Sequence, residues 1–285
     1  MTLPVTVGID GSGAADRALG WAAAEAALRH APLDVVHVSQ LITVPPGVPP
    51  ATSMNAAMAE QCRTWLNDAV AVVKAVAPEV TVTTDLLDDR VLDALTKRSA
   101  HAQLLVLGSR GSGGFPDLLA GSVAIGISAH ARCPVTVVRG AIPDPTAPVV
   151  VGIDGSAVSD AALAFAVDEA ARRSVPLVAY HVWSDIAHEP GVQSKPFVLD
   201  WNAIREAEEE VLTERLAGWQ ERYPEIQIRH VVERDRPAHG LIRQSAGAQL
   251  VVVGSRGRGG LTGMLLGSTG HALIHHAACP VVVAR

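Results

Sequence analysis

VTVGIDGS, at Val5–Ser12, returns as VVVGIDGS at Val149–Ser156, and this recurrence decides the fold. The offset is 144 residues, measured at Asp10 and Asp154. It also carries Asp16 onto Asp160, Glu25 onto Glu169, Pro32-Leu33 onto Pro176-Leu177 and His37-Val38 onto His181-Val182. Further along, LLVLGSRGSGG (Leu104–Gly114) returns as LVVVGSRGRGG (Leu250–Gly260) at an offset of 146, so the second copy has gained two residues in between. Gly121-Ser122 then falls on Gly267-Ser268, and Cys133-Pro134-Val135 on Cys279-Pro280-Val281. Collinear matches across both halves exclude two unrelated domains, so the chain is one unit written twice. Its 285 residues suit two domains of ordinary size. They are expected at residues 1–139 and 147–285, joined by RGAIPDPTAP (Arg139–Pro148), whose three prolines read as a short, stiff linker.

Each half alternates strand and helix signals. In the first, Val5–Ile9, Leu33–Val38, Val80–Leu86, Leu104–Leu107 and Val135–Val138 are β-rich or continuously apolar. Between them, Ala14–His30, Cys62–Val76, Val91–Ala100 and Ser122–Ala131 carry helical spacing. Five strands alternating with four helices predict an α/β domain, a parallel sheet with helices on both faces, because crossovers are right-handed. Val44–Met54 and its counterpart Asp185–Lys195 have no regular pattern and read as loops that cover a ligand.

Composition narrows the function classes. The hydrophobic fraction is 48% but aromatics are only 4%, so the core is aliphatic, as suits helices packed on a doubly buried parallel sheet. A net charge of −6 with no dense Lys/Arg stretch argues against a nucleic-acid partner. The longest apolar runs, Leu104–Gly108 and Leu250–Gly254, are strand length, which argues against a membrane span. MTLPVTVGID carries no signal-peptide pattern, and Cys62, Cys133 and Cys279 make no disulfide framework, so a cytoplasmic protein is expected.

The chemistry sits in one repeated loop. Gly108-Ser-Arg-Gly111, nine residues, then Gly121-Ser122 recurs as Gly254-Ser-Arg-Gly257, nine residues, then Gly267-Ser268. Each begins where an apolar strand ends and finishes where a helix opens. Glycines let the backbone approach a ligand, and the helix N-terminus offers N–H groups and partial positive charge to a phosphate. The bland alternative is that Ser122 and Ser268 are ordinary N-caps. Asp10 and Asp154 have two readings as well. They bond a sugar or base, or help hold Mg²⁺ near phosphates, or else shape an Asp-Gly-Ser turn.

Gly-x2-Gly-x9-Gly-Ser after the fourth strand, with a VGIDGS start and a CPV final strand, resembles the ATP-binding class of universal stress proteins, twice over almost the whole chain. The resemblance implies a Rossmann-like (adenine nucleotide alpha-hydrolase-like) domain with strand order 3-2-1-4-5 and ligand across the strand C-termini. It implies that Gly8 and Asp10 flank the adenosine and that Val38 contacts the adenine. Ribose and phosphates would be held by Gly108, Ser109, Arg110, Gly111, Ser112, Gly113, Gly114, Gly121, Ser122 and Val123. In the second half the same places fall to Gly152, Asp154, Val182, Gly254, Ser255, Arg256, Gly257, Arg258, Gly259, Gly260, Gly267, Ser268, Thr269 and Gly270. It further implies pairing of the halves through Val135–Val138 and Val281–Ala284, and a homodimer of tandem units is a further expectation.

The P-loop Gly-Lys-Ser/Thr is missing, and no motif places a base for an attacking water, so fast phosphoryl transfer is not expected. The expected function is an ATP-binding regulator of stress response and growth. A slow ATPase, or an interaction protein binding another adenine nucleotide such as cyclic AMP, are the alternatives. His271, His275 and His276 read as exposed helix histidines, because the first copy has Ile125, Ala129 and His130 there. His37 and His181 read as strand-end packing residues. Gly108→Ala and Gly254→Ala are expected to abolish one site each with the fold intact. The loop charge is 0 over Gly108–Ser122, where Asp117 offsets Arg110, and +2 over Gly254–Ser268, so the second site is expected to hold triphosphate more tightly.

Overall fold

A computed structural model describes residues 2–39, 52–111, 120–141, 143–183, 201–257 and 265–285. They fall into two compact units, Met1–Arg139 and Gly140–Arg285. In the first unit β1 (Val5–Ile9), β2 (Leu33–Ser39), β3 (Val82–Asp88), β4 (Leu104–Gly108) and β5 (Val135–Val138) alternate with helices. These are α1 (Gly13–Leu28), α2 (Thr52–Val76), α3 (Val91–Ser99) and α4 (Ser122–His130). All neighbouring strands run parallel, in the order β3-β2-β1-β4-β5. The second unit repeats this with β6 (Val149–Ile153), β7 (Leu177–Trp183), β8 (Ile228–Arg234), β9 (Leu250–Gly254) and β10 (Val281–Ala284). Its helices are α5 (Ala157–Arg173), α6 (Trp201–Arg222), α7 (Pro237–Ser245) and α8 (Ser268–His276). The order β8-β7-β6-β9-β10 is again 3-2-1-4-5.

The central strands are buried on both faces, and their Val/Leu runs supply the side chains for that. Val5, Val7, Leu104, Leu105 and Val106 are all sealed from solvent, as are Val149, Val151, Val251 and Val252. β3 lies at an edge, and its side chains are half-buried or exposed, with none sealed from solvent.

α1 starts where Ser12 caps it, the hydroxyl accepting the Ala15 N–H at 3.2 Å, with Asp16 in the first turn. Its buried stripe is Ala15, Ala18, Leu19, Ala22 and Ala26, and such small side chains bring the helix close to the sheet. α5 copies the cap through Ser156 and the Ser159 N–H, also at 3.2 Å. The repeated acid of these helices is structural. Glu25 is buried against Arg29, and Glu169 against Arg173 with Arg172 at 3.5 Å. A buried carboxylate of this kind needs its cation, because an unpaired charge there is costly.

Two expectations change. α2 begins at Thr52, ten residues before the expected Cys62. Its first turns are largely exposed and carry no apolar period; the buried spacing of Cys62, Leu66, Ala69 and Val73 is what the sequence made visible. Of the expected loop Val44–Met54, residues 52–54 are helical; 44–51 and Asp185–Lys195 lie outside the described residues. The described part of the linker contains a turn. Asp144 closes a turn, its Oδ1 accepting from the Thr146 N–H at 2.8 Å and the Thr146 hydroxyl at 2.7 Å. Those bonds hold the Asp144 carboxyl below its usual range.

Candidate functional site

In the first unit the C-terminal ends of β1, β2 and β4 open into a cavity of about 1000 Å³. It lies where the strand order reverses, between β1 and β4, the place an open α/β sheet offers a ligand. The N-termini of α1 and α4 border it, and α2 forms a wall. Gly8, Asp10, Val38, Gly108, Arg110, Gly111, Gly121, Ser122 and Val123 all line it. Residues distant in sequence, at the ends of three strands and two helices, are thus brought together.

Ser109 is placed differently. It is buried, its N–H donates to the Val138 carbonyl at 3.0 Å, and its own carbonyl accepts the Gly121 N–H at 2.8 Å. It fixes the loop and does not line the cavity. Ser112, Gly113 and Gly114 lie outside the described residues, as do Phe115, Pro116 and Asp117.

The N-cap of α4 is Gly121, not Ser122, and no side chain caps it. Ser122 is the first helical residue, so the first-turn N–H groups of α4 face the cavity without a side-chain acceptor at the cap. Asp10 combines both of its readings. Its Oδ1 accepts the Ser12 N–H at 3.1 Å, shaping the turn at Gly11, which has φ +76°. Its Oδ2 lies where a Cβ on Gly111 would meet it at 2.6 Å, beside the glycine loop.

Gly108 has a packing role that the sequence did not reveal. A Cβ there would fall 2.7 Å from the carbonyl carbon and oxygen of Ala14, so the glycine admits the backbone of α1 against β4. Gly254 meets Val158 in the same way, with the Cγ1 at 2.9 Å and the carbonyl oxygen at 3.0 Å. The expectation that alanine at these positions spares the fold is therefore corrected. By contrast, among the described residues a Cβ on Gly121 or Gly267 would meet nothing closer than 3.6 Å and 3.5 Å respectively.

Several lining residues were not anticipated as such: Arg17, Met58, Gln61, Cys62 and Trp65. The Arg17 guanidinium sits at the mouth, its Nη1 donating to the Gly13 carbonyl at 3.0 Å. Trp65 lies against the Gly11 turn, with its Cε2 only 2.5 Å from where a Cβ on Gly11 would be. The spacing of Cys62 and Trp65 put both on α2, but nothing in the sequence said which face meets a cavity. His37 is buried, with Nδ1 2.7 Å from the Ile9 carbonyl oxygen and its ring edge-on to Trp65 at 5.4 Å, and it also lines the cavity, which a strand-end packing role alone did not anticipate.

The second unit rebuilds the backbone frame. The Ser255 N–H donates to the Ala284 carbonyl at 3.0 Å, and the Ser255 carbonyl accepts the Gly267 N–H at 2.9 Å. Gly267 is an N-cap without a side-chain bond, followed by Ser268, Thr269 and Gly270 in the first turn of α8. Asp154 Oδ1 accepts from the Ser156 N–H at 2.9 Å and its hydroxyl at 2.6 Å; Oδ2 lies 2.7 Å from a Cβ on Gly257. Gly152 is closed in by Leu241 and Val253, and Val182 is buried at the end of β7. Arg256 follows Ser255 on the loop, while Arg258, Gly259 and Gly260 lie outside the described residues.

The wall helix differs. In α6, Arg215 reaches Asp160 at 2.7 Å and the Gly155 carbonyl at 3.0 Å, and Glu208 lies 3.0 Å from His181 Nε2. On α8, the ring centroids of His271 and His275 lie 4.7 Å apart, with the planes tilted by 37°.

A doubly wound parallel sheet made twice, with a glycine-bordered cavity at the strand C-termini of the first unit, defines a tandem Rossmann-like protein. The profile of the universal stress protein family matches residues 1–139 and 146–285. Over its full length the chain is similar to universal stress protein Rv2005c of Mycobacterium tuberculosis, with 46% identity covering 99% of this chain and 96% of that one. It is also similar to universal stress protein Rv2623 of the same organism, 45% identical over 100% and 97% of the two chains. The fold matches the crystal structure of a universal stress protein from Archaeoglobus fulgidus, with a TM-score of 0.73, 20% identity and coverage of 99% and 98%. The chain belongs to the universal stress protein family, with two family domains in tandem.

Proposed function

We propose that this protein is a cytoplasmic ATP-binding regulator of stress adaptation and growth, with one nucleotide site per unit. The observation that carries the reading is the first unit's cavity, which joins three features. Its glycine-bordered end meets the α4 N-terminus, suited to phosphates. Its other end is walled by Val36, Val38, Met58, Cys62 and Trp65, suited to a flat apolar ring. Arg17 and Arg110 supply the cations that no P-loop lysine provides. Mg²⁺ would be held by Asp10 together with phosphate oxygens, since this ion uses one or two carboxylates and keeps its waters. Among the described lining residues Asp10 is the only carboxylate, and Ser12 engages one of its oxygens, which favours binding over turnover. No described helix is long and apolar enough to cross a membrane, and none of the three buried cysteines is in a disulfide, which fits a reducing compartment.

The test uses Gly121→Asp and Gly267→Asp. Aspartate is a favoured N-cap, and the space at both glycines admits a Cβ, so the helices are retained. Its carboxylate takes the helix N–H groups and repels phosphate. Calorimetry with ATP is expected to show loss of one site in each variant and of both in the double variant, with the far-UV circular dichroism unchanged. Full ATP binding by the double variant refutes the reading. Mass spectrometry of the supernatant from denatured protein shows which nucleotide is carried.

A further inference from the structure

We infer that the second unit selects nucleotides whose base bears an exocyclic amine, through Glu208 beside His181, whereas the first unit does not discriminate. The inference rests on the nucleotide reading above and deepens it.

The two wall helices share one register. The Ala77 N–H donates to the Val73 carbonyl as α2 ends, and the Tyr223 N–H to the Trp219 carbonyl as α6 ends, at the same offset of 146 that relates the glycine loops. That offset places Glu208 where the first unit has Cys62, a residue lining the cavity at its apolar end. The histidine beneath is common to both. His37 and His181 are buried, and each has Nδ1 2.7 Å from a strand carbonyl, that of Ile9 or Ile153. A carbonyl only accepts, so Nδ1 carries the hydrogen in both rings and Nε2 is left to face the wall helix.

There the units diverge. In the first, the imidazole meets the edge of Trp65, and the wall offers a thiol and an indole. At the place that Glu208 takes in the second unit, the Cys62 thiol donates and accepts only weakly, and so does not distinguish a ring amine from a ring carbonyl. In the second, Glu208 Oε2 lies 3.0 Å from His181 Nε2. Among the described residues Nε2 has no hydrogen-bond partner, so this approach sets Glu208 beside the ring without committing the lone pairs of its carboxyl. The Glu208 side chain remains 31% exposed, so the carboxyl is still within reach of a ligand. A carboxylate at that place accepts from the amine of adenine and opposes the carbonyl oxygen of hypoxanthine.

The experiment compares ATP with inosine triphosphate, which differs at that ring position, by calorimetry on the single-site variants. In Gly121→Asp, where the second site alone remains, ATP is expected to bind about tenfold to a hundredfold more tightly, the range for a hydrogen bond to a charged acceptor. In Gly267→Asp the two nucleotides are expected to bind alike. Adding Glu208→Gln to Gly121→Asp is expected to bring the ratio to about one, since the amide donates to a carbonyl as readily as it accepts from an amine. A second site that binds both nucleotides equally, or a preference that survives Glu208→Gln, overturns the inference and leaves the ATP reading standing. Failure of ATP to bind either site in the unmodified protein removes both.

Discussion

The two units agree where backbone meets backbone and differ where side chains face the site. Gly108 and Gly254 admit the start of a helix, Ser109 and Ser255 tie the loop to the last strand of their unit, and Gly121 and Gly267 open the following helix. The wall helix follows no such rule: Cys62 and Ala69 of α2 stand opposite Glu208 and Arg215 of α6. A frame made of close main-chain contacts tolerates few changes in either copy, while a wall lined by side chains is free to diverge. The comparison teaches that the shared glycines report first on packing, and that many of the differences between the sites lie on a helix that carries no motif.

The comparison can be tested most severely through the buried acids. Glu25→Ala and Glu169→Ala each strand buried arginine charge, and a loss of about 3–5 kcal/mol is expected in chemical denaturation. The second substitution should cost at least as much, because Glu169 faces two arginines. A loss below about 1 kcal/mol in either would show that the arginines find water instead.

Gly108→Ala and Gly254→Ala come next, at about 1–3 kcal/mol for an overpacked contact. The first should cost more, since its Cβ meets rigid main chain at 2.7 Å, while the nearest atom at Gly254 is a valine methyl at 2.9 Å. Equal and negligible shifts in melting temperature would return these glycines to a purely ligand-facing role.

A smaller effect is expected from charge. Arg17 lines the first cavity, and Ala161 stands at the corresponding place in the second unit, which offsets part of the second loop's surplus. With the second site silenced, Arg17→Ala should weaken ATP binding about fivefold at low salt, on the order of 1 kcal/mol for an exposed pair, and less as salt rises. An unchanged affinity would place Arg17 outside the interaction. The second site should remain the tighter one for triphosphate; equal affinities at low salt would sink the charge argument.

The smallest signal is optical. Trp65 lines the first cavity, and α6 has Val211 at that register, so filling the first site should alter tryptophan emission and filling the second should alter it less. Trp65→Phe should remove the first response.

How much of this was legible follows from the same division. The internal repeat, the strand runs and the glycine frame were readable because a doubly buried strand must be apolar and because two copies check one another. The start of α2 was not, since its exposed first turns show no period. Trp65 and Arg17 were not, since a cavity wall is a property of the fold and not of spacing. Ser109 was read as a ligand contact, and the structure makes it a tie between strand and loop.

That tie has a consequence for engineering. The Ser109 carbonyl and the Gly121 N–H meet at 2.8 Å, and Ser255 and Gly267 meet at 2.9 Å, so each loop leaves and re-enters the frame through a pinned pair. The segments between, 110–120 and 256–266, are of equal length. Exchanging one for the other is therefore expected to leave the anchors in place, provided that glycine is kept at 111 and 257, where a Cβ would meet an aspartate oxygen at 2.6 Å and 2.7 Å.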